Sequence, residues 1–154
     1  MIRKYLFRVA AVGALAALLA GAASADHHEA GEAPKPFLVK MHADWNSTCK
    51  MLTPTWETLE TRHAADTSIV ILDMTTKELA AQSEQRAKEL GIHEFYEANV
   101  KRIGTIGILM PDGSPVEIFK GRLDHRDYTA AVEKAKAQIA SPGSEEAESE
   151  QEKK

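Results

Sequence analysis

The run "SIVILDM", Ser68 to Met74, narrows the folds open to this chain more than any other segment. It is apolar without alternation and no longer than a strand, the pattern of a strand covered on both faces. A helical pattern stands on either side of it. Upstream, Cys49, Leu52, Trp56, Leu59 and His63 recur at spacings of three and four, which puts them on one helical face. Pro54 lies inside that helix, removes a backbone donor and predicts a kink. Downstream, "TTKELAAQSEQRAKELG" opens with Thr75 three residues before Glu78, a capping box, and stops at Gly91.

The remaining segments extend the alternation. "PFLVKMHA" (36–43) is a second short apolar strand, placed ahead of the first helix. "IGTIGILM" and "VEIFKG" flank "PDGSP", a hairpin around a turn rich in Pro and Gly. A last helix starts at Asp124 and keeps Tyr128, Val132, Ala135 and Ile139 on its buried stripe. The segment 92–102, "IHEFYEANVKR", fits least well and is expected to be irregular or a short helix. The order strand, helix, strand, helix, hairpin, helix predicts an α/β domain. Its mixed sheet would join strands paired in parallel through helical crossovers to an antiparallel hairpin.

The ends of the chain read differently. Residues 1–25 carry Arg3, Lys4 and Arg8, then an apolar run to about Ala20, and close on Ala23-Ser24-Ala25. That is the layout of a cleavable signal peptide, and the apolar run is short for a membrane span. The expected compartment is therefore the periplasm or the exterior, with no membrane attachment after cleavage following Ala25. Removing the leader takes three positive charges and lowers the formal net charge from -4 to -7. So acidic a chain has no basic stripe to hold a phosphate backbone, and nucleic acid is not an expected partner. Residues 26–35 read as a linker and 36–140 as the folded domain. The tail 141–154, "SPGSEEAESEQEKK", has five Glu, no apolar period and the composition of a disordered segment.

With the elements in place, the loop "ADWNSTCKMLTP" acquires meaning. The chain resembles the thioredoxin family, in which a strand runs into an Ala-x-Trp-Cys-x-x-Cys-Lys loop whose second Cys begins a helix with a Pro five residues later. Ala43, Trp45, Cys49, Lys50 and Pro54 match that pattern in register. "GTIGILMPDGSPVEIFKG" is similar to the family's last two strands and the glycine after them, Gly121. The resemblance covers most of 36–140 and implies a thioredoxin fold, a central mixed β-sheet flanked by helices.

Three departures bear on activity. Asn46 stands where the resemblance implies the exposed nucleophilic Cys, so the Asn46-Ser47-Thr48-Cys49 loop is a degenerate one. A disulfide needs two sulfurs about 2 Å apart, and the chain has a single Cys. Gly104-Thr105 stands where the family has a cis-Pro before Thr. A cis bond costs a non-proline residue roughly 2.5–4 kcal/mol, so a trans Gly104 is expected and the docking role of that backbone is in doubt. Lys40 stands where the resemblance places a buried acid that assists proton transfer. Autonomous dithiol oxidoreductase activity is not expected, and no cofactor is called for.

Two readings of Cys49 stay open. As a thiol near a helix N-terminus it could form mixed disulfides with a partner or sense oxidants. As a small apolar residue it could simply fill the start of the kinked helix. An unpaired Cys in an exported chain also allows a disulfide-linked homodimer. Asn46, like Ser47, is a preferred helix N-cap, and Trp45 reads as a lid beside the loop or a recognition platform.

The histidines suggest a separate possibility. Cleavage after Ala25 would leave Asp26-His27-His28 at the mature N-terminus, a set of nitrogens suited to square-planar Cu(II) or Ni(II). A polar linker that happens to contain two His is the competing reading. His42 lies seven residues before Cys49, but two ligands do not make a metal site. The sequence thus favours a binding or accessory module that presents Trp45, Cys49 and Gly104-Thr105 to another exported protein. Monothiol exchange through Cys49 and metal capture at Asp26–His28 are the alternatives.

Overall fold

The computed structural model describes residues 33–141. Residues 1–25, expected to be a leader, and the Asp26-His27-His28 segment fall outside the described residues, as does the acidic stretch beyond Ser141. Nine elements follow in order: β1 (Phe37–His42), α1 (Ser47–Met51), α2 (Thr53–His63), β2 (Ser68–Asp73), α3 (Lys77–Glu89), α4 (His93–Asn99), β3 (Thr105–Leu109), β4 (Pro115–Lys120) and α5 (His125–Ala140). The four strands form one mixed sheet in the order β2-β1-β3-β4. β1 pairs in parallel with β2 and antiparallel with β3, and β3 pairs antiparallel with β4. This is the α/β thioredoxin fold the sequence implies.

Strand alternation divides the core into two layers. Leu38, Ile106, Ile108 and Phe119 face α2 and α5, where Leu52, Trp56, Leu59, Tyr128 and Val132 close the layer. Val39, Met41, Val70, Leu72 and Leu109 face the other side, against Ala87 of α3 and Phe95 and Tyr96 of α4. The central strands are therefore sealed on both faces, and β3 is buried at all five positions.

Three expectations are corrected. β2 is not covered on both faces. It is an edge strand among those described, like β4 on the other side, and Ile71, on the α2 side, is 42% exposed. The helix through Pro54 does not kink at the proline but breaks two residues earlier. α1 ends at Leu52, and Pro54 sits in the first turn of α2, where its missing N–H is not needed. The helix after β2 is capped by Thr76, not Thr75: the Thr76 side chain accepts from the Leu79 N–H. Its end is as expected. Gly91 adopts φ +71°, and the N–H groups of Gly91 and Ile92 return to the carbonyls of Lys88 and Ala87. The segment 92–102 contains a short helix, α4.

Candidate functional site

The residues singled out in the sequence gather at one end of the sheet, where β1 and β2 finish and β3 begins. Asn46 is the N-cap of α1: its Oδ1 accepts from the Cys49 N–H at 3.1 Å. Ser47 is exposed at the first helical position and Thr48 is half-buried. Trp45 points outward and is 61% exposed, yet it is tethered, since its indole N–H donates to the Thr75 carbonyl at 3.2 Å. Thr75 also accepts the Asp44 N–H through its hydroxyl at 3.1 Å. The threonine read as a helix cap instead fastens the loop to the end of β2.

Cys49, the chain's only cysteine, is 1% exposed. Its Sγ lies 3.7 Å from the Met41 carbonyl, which also accepts the Gly104 N–H at 2.9 Å. The end of β1 therefore holds both the thiol and the strand-entry loop. Gly104 has φ +86°, and no described peptide bond is cis. A Cβ on Gly104 would stand 2.7 Å from the Thr48 methyl, and one on Gly121 would stand 3.5 Å from the same methyl. Gly121 donates its N–H to the Gly104 carbonyl at 3.4 Å. Both backbone polar groups of Gly104 are thus engaged within the chain. Thr105 is buried, and its hydroxyl donates to the Arg102 carbonyl at 2.6 Å.

Lys40 occupies the interior beneath this loop. Only 4% exposed, it places its ammonium 5.0 Å from the centre of the Trp56 ring. Burial pushes its pKa below the usual lysine range, opposed by the nearby acidic groups, Cys49 first and then Glu60 and Glu57. A buried cation over an aromatic face is a packing solution for a charge that lacks a contacting carboxylate. His42, at the loop edge, is turned to Asp44, with its Nε2 3.1 Å from Oδ1.

Sequence reasoning assigned no partner to His63, yet the structure gives it one. His63, Asp66 and Glu133 hold their ligand atoms within 4.8 Å of one another. The Lys136 ammonium lies 2.7 Å from Asp66 Oδ2 and 3.0 Å from Glu133 Oε1, so a protein cation already bridges the two carboxylates. The His63–Asp66 spacing of three was visible in the sequence. The contact with Lys136, seventy residues away from Asp66, depends on how α2 and α5 pack.

The sheet order, the loop that enters α1 and the buried cysteine define a thioredoxin-like domain. The chain belongs to the thioredoxin family, whose profile, Thioredoxin, matches residues 22–134. Among solved structures it is similar to Trxlp from Edwardsiella tarda, with 17% identity, TM-score 0.45, and coverage of 64% of this chain and 82% of that one. It is also similar to thioredoxin from Fasciola hepatica, with 15% identity, TM-score 0.47, and coverage of 66% and 82%. A mutant thioredoxin from Halobacterium salinarum gives 22% identity, TM-score 0.46, and coverage of 66% and 75%. No curated protein matches the chain.

Proposed function

We propose that this is an exported thioredoxin-family binding module whose degenerate loop, Asn46 to Cys49, no longer performs autonomous dithiol exchange. In this reading the loop end of the sheet, with Trp45 at its edge and Gly104-Thr105 beneath, presents a face to another exported protein. One contrast carries the reading: the large aromatic of the loop is 61% exposed, whereas the only thiol is 1% exposed. A thiolate must be reached to exchange. A tethered, outward-facing Trp, by contrast, is the kind of rigid anchor on which protein interfaces concentrate their energy.

The test is capture of cross-linked partners by the tagged full chain in an exporting bacterial host, comparing wild type, Cys49→Ser and Trp45→Ala. The binding reading expects Cys49→Ser to retain the partner and Trp45→Ala to lose it without loss of thermal stability. Partners that disappear with Cys49→Ser, or on adding reductant, would overturn it in favour of monothiol exchange. Intact mass of the same material tests export: a mature chain beginning at Asp26 is expected. A chain still carrying Met1 would refute cleavage, and with it the Asp26–His28 copper or nickel motif.

A further inference from the structure

The end of the sheet where β1 starts holds two buried polar atoms that face each other without a hydrogen bond. His63 closes α2 and is 2% exposed. Its Nδ1 stands 3.4 Å from Oδ1 of Asp66, three residues on, and both atoms are buried without a hydrogen-bond partner. Leaving such atoms unsatisfied is costly, so each calls for a physical reason.

The far side of the imidazole fixes its tautomer. Nε2 lies 3.3 Å from the Thr129 hydroxyl on α5, and that hydroxyl donates its proton to the His125 carbonyl at 3.1 Å. Thr129 Oγ1 must therefore accept from Nε2–H, and a neutral imidazole protonated there keeps a bare lone pair on Nδ1. A nitrogen lone pair and a carboxylate oxygen thus stand 3.4 Å apart with no proton between them. A cation placed between them would satisfy both.

Glu133, on α5 one turn after Thr129, supplies a third corner. One ligand atom each of His63, Asp66 and Glu133 lies within 4.8 Å of the others. Tetrahedral zinc, with bonds of about 2.0–2.2 Å to imidazole nitrogen and carboxylate oxygen, sets neighbouring ligand atoms about 3.3–3.5 Å apart. The His63–Asp66 edge already has that length. Glu133 has only to swing inward, and its side chain, 57% exposed, has room to change rotamer. Lys136 approaches the other carboxylate oxygen, Asp66 Oδ2, at 2.7 Å and holds Glu133 at 3.0 Å. The edge between Nδ1 and Oδ1 is left open.

We propose that His63 Nδ1, Asp66 Oδ1 and Glu133 bind a divalent transition-metal ion of the zinc type, which clamps the end of α2 to α5 and displaces the Lys136 ammonium from Glu133. Water fills the fourth position. The donor set decides the class of ion: an imidazole with two carboxylates suits zinc, whereas magnesium and calcium take oxygen ligands. Thr129 holds the ring through Nε2–H, the kind of outer hydrogen bond that orients metal-bound histidines. The site lies at the opposite end of the sheet from Asn46 and Cys49 and is independent of the binding-module reading.

The experiment is calorimetric titration of the full chain with zinc chloride, in a background carrying His27→Ala and His28→Ala so that those two histidines do not compete. A single zinc ion is expected to bind, and magnesium chloride to give no binding. Glu133→Gln, on a side chain exposed enough to leave the fold intact, is expected to weaken zinc by more than about tenfold, and Thr129→Val by about tenfold. Lys136→Met removes the competing cation and is expected to tighten zinc several-fold. Imidazole nitrogen NMR at neutral pH is expected to show His63 protonated on Nε2 alone, with its Nδ1 signal moving on addition of zinc. No zinc binding in this background would overturn the proposal. So would zinc binding that Glu133→Gln and Thr129→Val leave unchanged, which would place the ion elsewhere. Equal binding of magnesium would remove His63 from the ligand set, and unchanged or weaker binding by Lys136→Met would refute the displacement. A His63 protonated on both nitrogens would also overturn the site, because a proton would already stand between Nδ1 and Asp66.

Discussion

The two ends of the sheet handle charge in opposite ways. At the end where β1 starts, His63, Asp66, Glu133 and Lys136 cluster across the α2–α5 contact, with Lys136 bonded to both carboxylates while His63 Nδ1 and Asp66 Oδ1 are left without a hydrogen bond. At the loop end, Lys50, Arg102 and Lys120 have no contacting carboxylate among the described residues, and Trp45 stands out into solvent. Charges closed on one another contribute modestly to holding helices together, whereas charges left open contribute little to stability and are available to a second molecule. The contrast separates a part of the surface that serves the fold from a part that the fold merely carries.

The comparison breaks most visibly if the loop end proves structurally dispensable. Gly104→Ala is expected to cost about 3 kcal/mol, from the left-handed backbone together with overpacking against the Thr48 methyl. Urea unfolding measures it, and a loss below about 1 kcal/mol would mean the loop yields easily. Next comes Tyr128, which ties the loop end to the core by donating its hydroxyl to the Arg122 carbonyl at 2.7 Å. Burial raises its pKa to about 12, partly offset by Arg122 and supported by Asp127. A phenol whose folded pKa is raised adds stability below its unfolded pKa, near 10. That stability is lost as pH climbs through the folded value. Wild type should therefore lose about 2–3 kcal/mol between roughly pH 10 and 12, and Tyr128→Phe should flatten that slope.

At the far end the effects are smaller. Burial pushes the Asp66 carboxyl up, but the hydrogen bond and charge of Lys136, then His63, bring it below the usual carboxylate range. A depressed carboxyl stabilises above its unfolded pKa of about 3.9. The contribution disappears as pH falls through the lower folded value. Asp66→Asn should cost about 0.5–1 kcal/mol at neutral pH, and the gap to wild type should close in acid. An unchanged gap at low pH would show that the pair is not what is being lost. The smallest effect is expected for Arg102→Glu/Lys120→Glu, within about 0.5 kcal/mol of wild type. A larger loss in a thermal melt would mean that these cations serve the fold after all, erasing the contrast between the ends.

Much of the architecture was legible because it depends on local periodicity. The stripe from Cys49 to His63 is buried at each named position, and Asp124 and Gly91 bound their helices as their chemistry dictates. What could not be read depends on neighbours distant in sequence. Nothing in "SIVILDM" says that no described strand lies beyond it, so the exposure of Ile71 was invisible. Thr75 and Thr76 are equivalent caps on paper, and the choice was made by the need to fasten Asp44 and Trp45. Within the candidate site, the capping role of Asn46 followed from its side chain and position. The convergence of Cys49 and Gly104 on the Met41 carbonyl, and the Lys136 bridge, required the assembled fold.

The seating of Thr48 between two glycines bears on how such a loop can change over time. The path of the loop is set by a methyl group, two glycine backbones and the indole tether of Trp45, none of them at position 46. Asn46 adds a cap worth about 1 kcal/mol without determining where the loop lies. The group carried at that position and the place where it is held are therefore set by different residues. Another small polar side chain could therefore stand at position 46 while the neighbouring surface keeps its shape.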